Sequence, residues 1–416
     1  MKLISFIQPS RNNLKYLKWS YESIRKNLNP EHEICWADDA STDGTWEWMQ
    51  EIAKKDSYVK IHRNDGPSRL GHTILYDTLV NDYATNDIVM IYHADMYACP
   101  GMDEAVLKHL EYDKVVSATR IEPPLHPDGP EKILKDFGIE PEEFKEQELI
   151  KFLREETPWT KVIPQDLKET TEGIFAPWAI HKSDFQSIGG HDPLFAPQSK
   201  EDSDIFNRFV LSGYKLIQTW KGFVYHMTCR GSRFADGAKR NPNGEVFMKN
   251  RETDEWLAQN QRSTRNFIRK WGSMVKHDTM MKPIILPKYD IGFVVENCNY
   301  NLLYELEPWC SKIYVEPQLP IIDYISNEQK NTLYNLQSKV WYVPEHDDNY
   351  TRTLHDIIVE FDGKQLTNEN FQYLTQLPEI LSTDKWLELG EFELDIFKII
   401  INKIKTYERD LIICKK

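Results

Sequence analysis

Three groups of residues in this 416-residue chain have the types and spacing to meet a charged ligand. The first is His93-Ala94-Asp95, directly after the unbroken apolar run at 88–92. Such a run reads as a strand buried on both faces, and ligands of open α/β sheets sit beyond the carboxyl ends of the strands. Asp95 is thereby positioned to meet a bound ligand or its metal, with capping of the next helix as its alternative role. The second group is Asp38-Asp39-Ala40-Ser41-Thr42-Asp43-Gly44-Thr45, a polar loop between an apolar strand at 34–37 and a helical pattern at 46–54. Turn formation is the competing role for Asp38 and Asp39. The third is Glu201-Asp202-Ser203-Asp204, a carboxylate cluster whose mutual charge raises pKa values, or which caps the helix it opens.

Positioning these groups requires strand ends that converge. A strand at 3–7 breaks at Gln8-Pro9-Ser10, and Leu14, Leu17, Tyr21, Ile24 and Leu28 then recur at helical spacing. Further strands at 34–37, 58–61, 88–92 and 114–119 alternate with helices at 46–54, 70–83 and 102–110, which predicts a doubly wound α/β domain. Residues 121–170, rich in Pro, Glu and Lys with a helical pattern at 130–155, read as an insertion over the site. A strand at 171–181 and a helix at 182–188 follow. The chain after about 283 reads as a separate, smaller α/β domain, 283–416. Its strands are expected at 290–295, 312–315, 340–343 and 356–361, and its helices at 300–306, 328–337 and 368–380. It carries no Gly-rich phosphate loop, so an accessory role or homo-oligomerisation is its expected use, with a second, degenerate nucleotide-sugar fold as the alternative.

Composition narrows the class. A net charge of -14 argues against general nucleic-acid binding. No apolar stretch reaches membrane-spanning length and the first residues lead straight into a strand, so neither anchor nor signal peptide is expected. Six scattered cysteines without a CxxC pair suit a reducing compartment, and a cytoplasmic protein is expected.

The order Pro9-Ser10-Arg11-Asn12, then the Asp38–Thr45 loop, then His93-Ala94-Asp95 resembles the nucleotide-binding half of the family-2 glycosyltransferases of GT-A fold. Gly189-Gly190-His191-Asp192, Glu201-Asp202 and the trailing Arg208 and Gly213-Tyr214 resemble the linked motifs of the same family, so that the likeness covers roughly residues 1–275. It implies a mixed sheet flanked by helices, in which 1–120 binds the nucleotide and 171–282 carries the acceptor and catalytic side. It implies metal-dependent, inverting transfer from a nucleotide-sugar donor to a hydroxyl of a glycan or other glycoconjugate, with Mn²⁺ or Mg²⁺. Asp95 corresponds to the metal-holding last Asp of a D-x-D motif, whose first position is here His93. His226, at the end of an apolar strand, falls where many members place a further metal or diphosphate ligand. Asp202 corresponds to the catalytic base, with Glu201 positioning beside it. Pro9, Ser10, Arg11, Asp38, Asp39, His93, Ala94 and Asp95 are the implied nucleotide-sugar contacts, and Gly190 lies on the acceptor side. Arg69, beside the Gly66-Pro67 turn, is a nucleotide contact or a solvated helix charge. Trp178 is an acceptor platform or a core aromatic. Two rival functions are a non-catalytic carbohydrate- or nucleotide-sugar-binding protein, favoured by His93, and a sugar-nucleotide pyrophosphorylase. The latter would want a Gly-rich loop after the first strand, which Gln8-Pro9-Ser10-Arg11 is not.

Overall fold

The computed structural model describes residues 2–155, 169–228, 237–248, 252–344, 350–382 and 389–413; the stretch 156–168 of the predicted insertion lies outside them. Two compact units result, one from residues up to 258 with 277–283, the other from 259–276 with 284–413.

The first unit is built on a mixed sheet. Its strands are β1 (Ile4–Ser10), β2 (Glu33–Asp39), β3 (Val59–Asn64), β4 (Ile88–Ile91), β5 (Met96–Ala98), β6 (Lys114–Glu122), β7 (Lys132–Leu134), β8 (Thr170–Thr171), β9 (Trp178–His181) and β10 (Lys215–His226). The order is β3-β2-β1-β4-β9-β6-β10-β5, with β7 beside β6 and β8 beside β10. β1 to β4 pair in parallel as expected of strand–helix alternation. β9 runs antiparallel between β4 and β6. Every residue of β2 and β4 is buried, the outcome for apolar runs covered on both faces. The α/β class and the mixed sheet are as the sequence predicts.

Departures concentrate where turn residues interrupt a pattern. The helical pattern at 130–155 is instead β7, a turn at Pro141–Glu143 and a helix confined to Glu146–Glu155. Gly138 at φ +121° and Pro141 prevent a continuous helix. The strand expected at 171–181 is split into β8 and β9, because Gly173 and Pro177 cannot sustain a ladder between them. The helix of 70–83 begins at His72 and ends in a π-helical turn, Leu79–Tyr83.

The second unit is a six-stranded sheet ordered β15-β14-β13-β16-β18-β17. A short hairpin, β11 (Ala238–Arg240) and β12 (Val246–Met248), precedes it in the chain. β13 (Ile291–Glu296), β14 (Lys312–Val315), β15 (Val340–Tyr342) and β16 (Ile357–Asp362) are parallel. β17 (Gly390–Leu394) and β18 (Phe397–Ile401) form an antiparallel hairpin that the sequence reading omits. The helix expected at 328–337 lies instead at Ile321–Glu328, and Asn331 and Asn335 fall in turns.

The unit boundary also differs from residue 282. From residue 259 the helix Asp254–Trp271 belongs to the second unit, where Arg265 and Arg269 enter a buried ion cluster. Arg269 Nη2 lies 2.6 Å from Glu307 and 2.5 Å from Glu328, while Lys339 Nζ is 2.7 Å from Glu307. Tyr324 donates its hydroxyl to Glu307 at 2.8 Å. Removing one member of such a cluster strands a buried charge, typically at about 3–5 kcal/mol, so the helix is committed to this core.

Candidate active site

A cleft of about 500 Å³ opens at the carboxyl ends of β1, β4 and β6. It is lined by Pro9, Ser10, Arg11, Asp39, Arg69, His93, Ala94, Asp95, Glu201, Asp202 and His226 among the expected residues. Asp38, Trp178 and Gly190 do not line it.

On the floor, the loop after β4 is pinned from beneath. Gln8 Nε2 donates to the His93 carbonyl at 2.9 Å, and Trp36 Nε1 donates to Gln8 Oε1 at 2.7 Å. The Met227 N–H donates to the Asp95 carbonyl at 3.1 Å, tying the loop to the end of β10. His93, Asp95 and His226 each present one ligand atom, all within 4.8 Å of one another. Asp95 Oδ1 is 3.2 Å from His226 Nε2, near the roughly 3 Å between adjacent ligands of a small octahedral cation with ~2.1 Å bonds. The other ring nitrogen, Nδ1, lies 2.7 Å from Glu122 Oε1. Two imidazoles and one carboxylate are a donor set for a divalent first-row transition-metal cation, so the residues fit a divalent cation. Burial disfavours charge on His226, but Asp95 and Glu122 outweigh it and raise its pKa to about 9. Burial, with His226 alongside, pushes His93 down to about 3. Glu122 is itself held well below the usual carboxylate range: its burial is outweighed by Arg120, His226 and Lys132.

The head of the helix Glu201–Leu211 lines the same cleft. Ser199 and Lys200, at φ +81° and +72°, turn the chain so that Glu201 and Asp202 open the helix at the cleft. Glu201 Oε1 is 2.6 Å from His72 Nε2, and its other oxygen is buried with no hydrogen-bond partner among the described residues. Burial raises Asp202 and the Glu201 charge raises it further, to about 6. Asp204 is fully buried and does not face the cleft; it binds Arg208 at 2.9 Å. Arg208 Nη1 and Nη2 donate to the carbonyls of Ile188 and Gly190 at 2.7 and 2.6 Å. Arg208 thus joins the two linked sequence motifs physically.

Several expected contacts have other occupations. Asp39 accepts from the N–H groups of Leu70 and Gly71 at 3.0 and 2.8 Å and from Asn64 Nδ2 at 2.7 Å, shaping the loop that carries Arg69. Asp38 is fully buried near the end of β2, where it accepts from the Ser41 N–H at 3.3 Å and lies 3.7 Å from Arg63 Nε. Arg69 is a cleft residue and not a solvated charge: it donates to Gln198 Oε1 at 2.5 Å. Gly190 sits at φ +66°, where a Cβ would lie 2.3 Å from Asp77 Oδ2. It serves close packing and does not contact the cleft.

Trp178 is no platform. It is fully buried, with ring centroids of Phe209 and Phe206 at 5.7 and 6.3 Å, because β9 is sandwiched between β4 and β6. Trp178→Ala is therefore expected to cost about 3–5 kcal/mol of stability, read by denaturant unfolding. Wild-type stability with a raised acceptor KM would overturn the core assignment.

His72, Tyr76, Arg120 and Phe175 also line the cleft, and Glu122 lies beneath it, without having been singled out by the sequence. The available signal for two of them is the alternation Thr119-Arg120-Ile121-Glu122, which places Arg120 and Glu122 on one face of β6. Among the described residues, no helix is long and apolar enough to cross a membrane.

Residues 5–170 match the family model of Glycosyl transferase family 2. No curated protein matches the chain. Among solved structures, GalNAc-T7 with UDP, GalNAc and Mn²⁺ is similar to this chain with a TM-score of 0.42 and 14% identity, over 54% of this chain and 44% of that one. TarS 1-349 of S. aureus is similar with a TM-score of 0.37 and 16% identity, over 54% of this chain and 60% of that one. The chain thus spans less than two thirds of each.

Proposed function

From the premise that residues 5–170 are a glycosyl transferase family 2 domain, we propose that this chain moves a sugar from a nucleotide-sugar donor to an acceptor hydroxyl by a single inverting displacement. The observation that carries the reading is their convergence on one cleft: Asp95, His226 and His93, clustered within 4.8 Å, line it together with Asp202 at the head of the helix Glu201–Leu211. Asp95, His226 and His93 would hold a divalent cation, Mn²⁺ suiting the two imidazoles better than Mg²⁺, and as a Lewis acid it would stabilise the charge growing on the diphosphate leaving group. Arg11 and Arg69 face the donor as cations for its diphosphate and nucleotide. Asp202 takes the proton of the acceptor hydroxyl as the oxygen bonds to the anomeric carbon and the diphosphate leaves with the old C–O pair. Glu201, held by His72, keeps Asp202 in place and raises its basicity. The acceptor is a glycan or another glycoconjugate.

The test is release of nucleoside diphosphate from a panel of nucleotide sugars in the presence of Mn²⁺. Slow donor hydrolysis that is abolished by excess chelator is expected. Tight donor binding with no turnover on any acceptor would make the protein a binding module, and turnover insensitive to chelator would remove the metal from the reading.

A further inference from the structure

The charge arrangement under the cleft floor extends the site into β7, a strand outside the motifs singled out in the sequence. Glu122, the last residue of β6, is 2% exposed, and a carboxylate so deeply buried needs compensating partners. It has three. His226 Nδ1 lies at 2.7 Å, Arg120 Nε at 3.4 Å and Lys132 Nζ at 3.7 Å. Lys132 comes from β7, the strand contributed by the insertion, and is held in register because β7 pairs with β6 at Arg120↔Lys132. Glu131, the residue before β7, in turn binds Arg120 Nη2 at 3.1 Å.

With Nδ1 bonded to Glu122, the other ring nitrogen of His226 is the one aimed at Asp95. We propose that Glu122 is a positioning residue for the metal centre. Its carboxylate accepts the Nδ1–H of His226, fixing the tautomer and ring plane so that Nε2 is presented as a ligand, and the insertion strand β7 supplies the lysine that keeps the carboxylate in place. A carboxylate behind a ligating imidazole both orients the ring and increases its basicity as a donor. The insertion is then part of the metal site's support and more than a cover over the cleft.

This inference rests on the divalent cation of the proposed function, and its test separates the two. Mn²⁺ affinity is measured on the full chain by the electron paramagnetic resonance signal of free Mn²⁺, with and without nucleoside diphosphate. The proteins are wild type, Glu122→Gln, His226→Gln and the double variant, each checked by thermal unfolding. Glu122→Gln is expected to weaken Mn²⁺ binding about 10- to 100-fold. In the His226→Gln background the same substitution should change affinity less than about twofold, since the ring it orients is gone. An equal loss in both backgrounds, or Mn²⁺ affinity within about twofold of wild type for Glu122→Gln, overturns the positioning role. If Glu122→Gln does not fold, Glu122→Asp carries the same comparison, keeping the charge opposite Arg120 and Lys132 while drawing it away from Nδ1. Absence of Mn²⁺ binding in the wild type under both conditions overturns the metal centre itself, and with it this inference, before any substitution is compared.

Discussion

Replacing Asp202 by asparagine is expected to lower kcat by about 10²- to 10⁴-fold, the usual loss when a general base is removed, while donor affinity stays close to wild type. The substitution is nearly isosteric and leaves the anchoring of the helix Glu201–Leu211 intact, because that anchoring runs through Asp204 and Arg208. Asp204, buried in its ion pair with Arg208, is not available as an alternative base. Paired donor-binding and turnover assays, with the anomeric configuration of the product read by NMR, check the assignment. Normal turnover of Asp202→Asn, or retained configuration, would remove Asp202 as the base of an inverting displacement.

The pH profile gives this prediction a second edge. Asp202 is competent as a base only when ionised, and its pKa is pushed up to about 6 by burial and by Glu201, against the lowering pull of His191, His72 and Arg120. The rate should therefore fall by about tenfold per pH unit below 6 and level off above it. Glu201→Gln removes the neighbouring negative charge, so the acid limb should move to lower pH, with a milder loss at neutral pH than in Asp202→Asn. An acid limb unmoved by Glu201→Gln would mean that the two carboxylates do not sense one another.

The framework of strand ends was legible because apolar runs and polar loops alternate cleanly through residue 119. Asp95, Asp202 and His226 could be picked out since each ends or opens an element, where backbone geometry alone fixes the side chain's region. What a one-dimensional pattern does not reveal is which polar groups a residue will satisfy. Asp38 and Asp39 read as equivalent ligand contacts, yet Asp39 spends its oxygens on Leu70, Gly71 and Asn64, and Asp38 is fully buried beside the Ser41 N–H and Arg63. Trp178 is invisible as a core residue until β9 is known to lie between two other strands. Residues 121–170 mislead for the opposite reason: a helical spacing exists at 130–155, but Gly138 and Pro141 fragment it, and the short β7 is held by pairing to β6 rather than by its own propensity. In the second unit the hairpin β17–β18 turns at Asp395, at φ +55°, a single-residue signal too small to stand out from charged surroundings.

Asp95→Asn should have the other large effect, and a different one in kind. Of the three donors on the cleft floor, only Asp95 brings a formal negative charge against a divalent cation, while His93 and His226 are neutral ligands when they coordinate. Asparagine keeps the shape and one oxygen but removes that charge. The cation's stabilisation of the leaving diphosphate is worth several kcal/mol, and each 1.4 kcal/mol is a factor of ten, so a loss of about 10³-fold or more in transfer is expected. Unlike Asp202→Asn, the variant should also weaken Mn²⁺-dependent binding of nucleoside diphosphate, because the two ligands neutralise one another in the site. Binding measured in chelator should be indifferent to the substitution. The fold should survive: the loop holding Asp95 is fixed through its main chain, by Met227 N–H to the Asp95 carbonyl and Gln8 to the His93 carbonyl, neither of which the substitution touches. His226→Ala should fall between wild type and Asp95→Asn, raising the Mn²⁺ concentration needed for half-maximal rate. Equal Mn²⁺ titrations for all three proteins would show that the cation, if used at all, is held elsewhere in the cleft.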